Sequence, residues 1–299
     1  MVDYLLIHSS QDGYFDPDYI SFHQFDMPAV RVLIDKSFYI VFPYLKYLPV
    51  EQILDELTNE TALLISSSII FSGQRWDIPE ERKAVDSISE KISLSIASDG
   101  KITVKDIKSF HGTSAYVNRS QFADMKPEEK EKALMKKFTS PDLKLSDFKY
   151  ELKNIAELER DFIVELSYSL DNQVTITPDD ILFQTGGLLS PVNLYSQKID
   201  TTERVNPIDI RHPEIFVKDV SISYPPEWKL QTAMNDTTVS NKFGSSVEKK
   251  SATTGVINIS QVTKLEKSKG AKNEASLLYD IIRGDQRRNL PVIVFSAGK

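Results

Sequence analysis

Phe25-Asp26-Met27-Pro28-Ala29-Val30-Arg31-Val32-Leu33-Ile34-Asp35, followed by Phe38-Tyr39-Ile40-Val41-Phe42-Pro43, is the stretch on which the reading of this 299-residue chain turns. Two runs of β-branched, aliphatic and aromatic residues flank Asp35-Lys36-Ser37, so the spacing predicts two strands joined by a tight hairpin. Arg31 interrupts the first run where alternation would send it to a solvent-facing side. Apolar runs at residues 4–7 and 62–65 predict two further strands.

Outward from this hairpin the pattern changes. Residues 73–90, with Gly73, Pro79 and many charges, read as a linker, closing a first region at 1–72. Beyond it Ile92-Ser93-Leu94-Ser95-Ile96 alternates strictly, Asp99-Gly100 is a strong hairpin signal, and alternation resumes at residues 102–107. Pro127, three glutamates and then Lys136 and Lys137 follow the order that a helix dipole favours, predicting a helix over 128–137. Strands are expected again at 161–170 and 174–176, and Gly186-Gly187 with Pro191 mark a turn. A C-terminal region, 191–299, shows more strands, a helix near 274–288, and a final run at 291–295 apolar on both faces, as in a strand inside a sheet. The expected fold is α+β, mostly antiparallel, with two β-sandwich-like domains at 91–190 and 191–299, each carrying one helix.

Composition excludes several chemistries. There are no cysteines, so thiol nucleophiles, disulfides and thiolate metal sites are absent from this sequence. The formal charge of −7 argues against nucleic acid as a partner. No window approaches the roughly 18 apolar residues of a membrane span. The N-terminus lacks the basic region of a signal peptide, and an apolar strand starting almost at residue 1 suggests further chain ahead of it. No Gly-rich phosphate loop or nucleophile elbow occurs, and no cofactor or metal is expected.

The opening stretch resembles the back half of a bacterial transglutaminase-like domain, in which one strand carries the catalytic His and the next the catalytic Asp. Met27 stands at the His position and Phe42 at the Asp position, and neither moves a proton. The resemblance continues through Lys46-Tyr47-Leu48-Pro49, the Asp99-Gly100 hairpin, the Gly112, Ala115, Arg119 spacing, the Glu- and Lys-rich helix, and the segments 225–229 and 275–282. It implies a truncated papain-like β-region followed by C-terminal β-domains of unknown function, in a family commonly exported to the periplasm or surface. It also implies that the Cys-bearing helix of such a core would lie upstream.

An acyl-transfer site needs a nucleophile, a base and a group that orients the base. With all three roles empty, the expected function is a non-catalytic binding or assembly module for a protein, a peptide or a glycan. Two rivals stand beside it: a fragment of, or partner to, a transglutaminase- or cysteine-protease-like enzyme, and a hydrolase using carboxylates such as Asp26 and Asp35. His23 lies in the loop before the first strand of the hairpin, and His8, His111 and His212 form no ligand spacing. Asp12, Asp16 and Asp18 lack the ligand order of a calcium loop. Tyr14, Phe15, Tyr19 and Phe22 read as a small satellite core, Trp228 as a ring buried in a sandwich, and Arg283, Arg287 and Arg288 as cations at a helix C-terminus.

Overall fold

The computed structural model describes residues 2–9, 15–16, 18–19, 21–50, 52–54, 57–58, 60–66, 73–78, 86–141, 143–185, 188–189, 207–210, 212–286 and 292–297. In chain order the strands are β1 (Val2–Ile7), β2 (Met27–Ile34), β3 (Ser37–Val41), β4 (Thr61–Ser66), β5 (Gly73–Asp77), β6 (Asp86–Ile96) and β7 (Ile102–His111). Helices α1 (Thr113–Phe122) and α2 (Pro127–Phe138) follow, then β8 (Leu145–Lys153), β9 (Phe162–Leu170), β10 (Val174–Ile176), β11 (Asp180–Gln184), β12 (Ile208–Ile210) and β13 (Glu214–Ser223). The chain continues through β14 (Lys229–Leu230), β15 (Thr237–Asn241), β16 (Gly244–Thr253), β17 (Val256–Leu265), β18 (Ser268–Gly270), α3 (Ala275–Gln286) and β19 (Val292–Ser296). The class is α+β and mostly antiparallel, as expected.

The first five strands form one sheet in the order β3-β2-β1-β4-β5, with every pairing antiparallel. Asp35 and Lys36 turn the β2–β3 hairpin with φ of 47° and 71°, so both central residues take the left-handed conformation that matches strand twist in a two-residue loop. One face of this sheet is closed by a core of Leu5, Ile7, Ala29, Ile40, Phe42, Leu48, Leu57 and Leu64.

Eight strands make the second sheet, ordered β15-β16-β17-β13-β6-β7-β9-β8. Its centre is a parallel pairing of β6 with β13, register Glu90↔Lys218. The expected break between residues 190 and 191 is therefore not a break in this sheet: strands from both sides of it hydrogen-bond side by side. Nor are residues 73–90 wholly a connection, since 73–77 form β5 and 86–90 open β6. Residues 79–85, with Gly186, Gly187 and Pro191, lie outside the described residues.

A four-stranded sheet, β10-β11-β19-β14, packs on one end of the large sheet's inner face through Ile181, Phe183, Ile293 and Phe295. Trp228 sits in this sandwich, 5.6 Å from the Phe295 ring, where alternation placed it, and β19 is an interior strand. Helices α1 and α2 cover another part of the same face, with Phe110, Phe122 and Phe138 in ring contact.

Helix α1 was visible in the sequence only as the Gly112, Ala115, Arg119 spacing, and the structure explains all three residues. Gly112 has φ of 67°, and a Cβ there would lie 1.9 Å from Asp86 Oδ1. That carboxylate instead accepts the Thr113 N–H at 2.7 Å, opening the helix. Ala115 is buried. Arg119 is fully buried and donates to the carbonyls of Asn154, Glu157, Leu158 and Arg160, clamping the loop between β8 and β9.

Candidate interaction surface

The first sheet turns its charge inward. Arg31 does not reach solvent as alternation suggested; it pairs across β1 with Asp3, Nη2 to Oδ2 2.7 Å, and stacks 4.4 Å from the centre of the Phe38 ring. Both partners lie on the side of the closed core, where Nε and Nη2 of the guanidinium both donate to Oδ2 of the buried carboxylate.

Across β1 to β4 the opposite face is mainly apolar. Register places Val41, Val30, Tyr4 and Ile65 in one row across four strands, and Tyr39, Val32 and Val2 in the next. All are partly or fully exposed, and Tyr4 reaches 60%. A sheet apolar on both faces is normally covered on both. Here one side is covered by the core, and on the other side these two rows are open to contact, while the end at His8 is covered by Phe15.

Met27 and Phe42 stand on the core side of this sheet. Continuing the β2–β3 register sets Phe42 opposite Ala29 and Met27 opposite Tyr44, whose hydroxyl reaches Met27 Sδ at 3.6 Å. The Phe42 and Tyr44 rings meet edge to face at 6.5 Å. The positions thus hold packing side chains. Burial, together with the nearby Asp26, raises the Tyr44 hydroxyl above its ordinary range.

The other candidates are dispersed. Asp26 accepts the Ser9 N–H at 3.1 Å at one end of β2, while Asp35 lies in the turn at its other end, so strand rise separates them by roughly 30 Å. His8 is buried with Nδ1 2.8 Å from the Gln24 carbonyl, His23 lies in a short 3-10 turn, His111 meets Asp161 at 2.8 Å, and His212 meets the Thr58 hydroxyl at 2.6 Å. Among the described residues no group of three metal-ligating side chains comes together. Asp16 and Asp18 form a local turn. Phe15 contacts His8 and Phe25, Tyr19 is exposed, and Asp12 and Tyr14 lie outside the described residues. Arg283 belongs to α3, and Arg287 and Arg288 lie outside the described residues.

Sequence reasoning missed a row of buried charge on the inner face of the large sheet. Glu248, Gln261, Lys218, Glu90 and Lys108 lie directly opposite one another across β16, β17, β13, β6 and β7. Gln261 donates to Glu248 at 2.6 Å, Lys108 donates to Glu90, and Lys108 also pairs with Asp106 at 2.9 Å. Lys250 pairs with Glu248 at 2.5 Å. Burial pushes the Glu90 carboxyl up, but the ammoniums of Lys108 and Lys218 outweigh it and hold Glu90 at about 2. Asp106 has one ammonium neighbour in direct contact and an Oδ1 with no hydrogen-bond partner, so burial dominates and raises it to about 6. The signal in the sequence was a polar or charged residue on the otherwise apolar inner positions of β6, β7, β13 and β17. The row neutralises itself and contains no nucleophile beside a base.

No protein-family model matches the chain, and no curated protein matches it. Among solved structures, a crystal structure of a Parabacteroides distasonis protein described as a candidate protease aligns with 99% of this chain at 13% identity and a TM-score of 0.47. This chain spans 40% of that protein's length.

Proposed function

We propose that the chain is a non-catalytic binding or assembly module on a transglutaminase-derived scaffold, and that it engages a protein or peptide through the outer face of its first sheet. The observation that carries this reading is the row Val41, Val30, Tyr4 and Ile65, apolar and accessible on a sheet whose other face is already closed. Met27 and Phe42 serve the core on the far side, which supports a scaffold put to contact rather than to proton transfer. The same open face favours one second reading, that the module complements a polypeptide supplying the covering layer of an acyl-transfer enzyme.

The test is selection of binding peptides from a random displayed library against the intact chain, followed by titration with Tyr4→Arg and Val32→Lys variants. Selected peptides are expected to lose at least about tenfold in affinity for both variants, the cost of desolvating an introduced charge, while thermal melting stays unchanged. Peptides that bind both variants as well as the parent would remove the outer face as the binding surface.

A further inference from the structure

We infer that the free edge of β3 pairs with β3 of a second copy of this chain, joining two five-stranded sheets into one of ten strands about a twofold axis. This names a partner for the same sheet and rests on the reading of that sheet as a contact element.

Edge strands are normally guarded, and the rest of the molecule shows how. The large sheet ends at β8 in a bulged strand, with a register shift between Ser146 and Lys149 and an Asp147 φ of 55°, lined by Lys149, Glu151 and Lys153. At its other end β15 is packed by α3, where Asn241 donates to the Leu277 carbonyl at 2.7 Å. The four-stranded sheet ends in strands of three and two residues. Among the described residues none of these devices protects β3. Its five residues, Ser-Phe-Tyr-Ile-Val, carry no charge, no proline and no bulge, and Phe38 is 51% exposed.

The edge is also complementary to itself. In a two-residue hairpin Ile34 and Ser37 exchange hydrogen bonds, and alternation then gives the N–H and C=O of Tyr39 and Val41 to β2 and leaves those of Phe38 and Ile40 pointing outward. An antiparallel copy centred on Tyr39 sets Phe38 opposite Ile40 twice, satisfying all four outward groups on each strand. On one face Phe38 covers Ile40 of the copy and extends the closed core; on the other, Tyr39 meets Tyr39 beside the apolar outer rows. A twofold contact must match itself in this way, and no charged side chain in the strand meets its own copy.

Because the chain has no cysteine, Tyr39→Cys introduces a single thiol. At a non-hydrogen-bonded position opposite its own copy, that thiol is within disulfide reach. Under mild oxidation Tyr39→Cys is expected to form covalent dimer about ten times faster or more than Ser95→Cys, an exposed control on the large sheet, because pairing raises the local thiol concentration. Sedimentation of the unmodified chain is expected to show a monomer–dimer equilibrium that Phe38→Pro abolishes; proline there removes only an outward N–H, as edge strands tolerate. Equal crosslinking of the two cysteine variants, or a parent that stays monomeric at millimolar concentration, overturns the proposal and leaves the edge to a strand from another protein. Tyr4 lies on β1, two strands in from this edge, so Tyr4→Arg leaves the edge intact; loss of peptide binding in that variant without loss of dimer, or loss of dimer in Phe38→Pro without loss of peptide binding, separates the two claims.

Discussion

Lys218 and Glu90 face each other across the parallel β6–β13 pair, Nζ to Oε2 3.0 Å, with side chains only 5% and 8% exposed. The pair sits where the two halves of the chain meet, and Lys108 donates to the same carboxylate from the other side. A buried pair contributes little net stability over an apolar substitute, but removing one member leaves a desolvated charge.

Glu90→Ala removes the carboxylate that Lys108 and Lys218 share and leaves an excess of positive charge inside the sheet. It should destabilise the protein by about 3–5 kcal/mol, measured by urea unfolding at pH 7. Replacing Glu90, Lys108 and Lys218 together with apolar residues should recover most of that loss.

The same groups set a pH dependence of opposite signs. Glu90 is held at about 2 against an ordinary 4.5, so its contribution is present above pH 4.5 and fades as pH falls towards 2. Asp106 is raised to about 6 from 3.8, so the folded state binds its proton more tightly, and stability falls as pH rises from about 4 to about 6. Urea midpoints of Asp106→Asn measured from about pH 2 to 7 should show that descending arm flattened, with the acid-side loss intact.

Arg119→Lys keeps the charge but loses the planar fork that reaches four carbonyls. A loss of about 2–3 kcal/mol is expected, with faster amide exchange confined first to the loop between β8 and β9. Arg119→Ala should cost more.

Gly112→Ala forces a Cβ onto Asp86 Oδ1 and holds a non-glycine residue at φ of 67°. Loss of at least about 2 kcal/mol is expected. Asp86→Ala tests the cap separately and should cost about 1 kcal/mol.

Local signals in the chain were read well where a short range decides the outcome. The β2–β3 hairpin follows from two apolar runs and a turn, and α2 from Pro127 and its charge order. The β6–β7 hairpin follows from Asp99-Gly100, whose glycine has φ of 87°. Helix α1 escaped because its apolar periodicity is weak: what it buries includes Asn118 and Arg119, held by hydrogen bonds rather than by an apolar stripe.

The amino-acid sequence by itself determined the class of the fold, most of its strands and the absence of thiol chemistry, because alternation, turn residues and composition act over a few neighbours. Only the tertiary structure decided that residues 86–96 and 214–223 lie side by side in one sheet, that Arg31 points inward to Asp3 while Tyr4 and Val30 face out, and that Glu90, Lys108 and Lys218 share one buried row. Each of these depends on which strand lies beside which and on which face is covered. Alternation sorts residues into two faces without saying which is the inside.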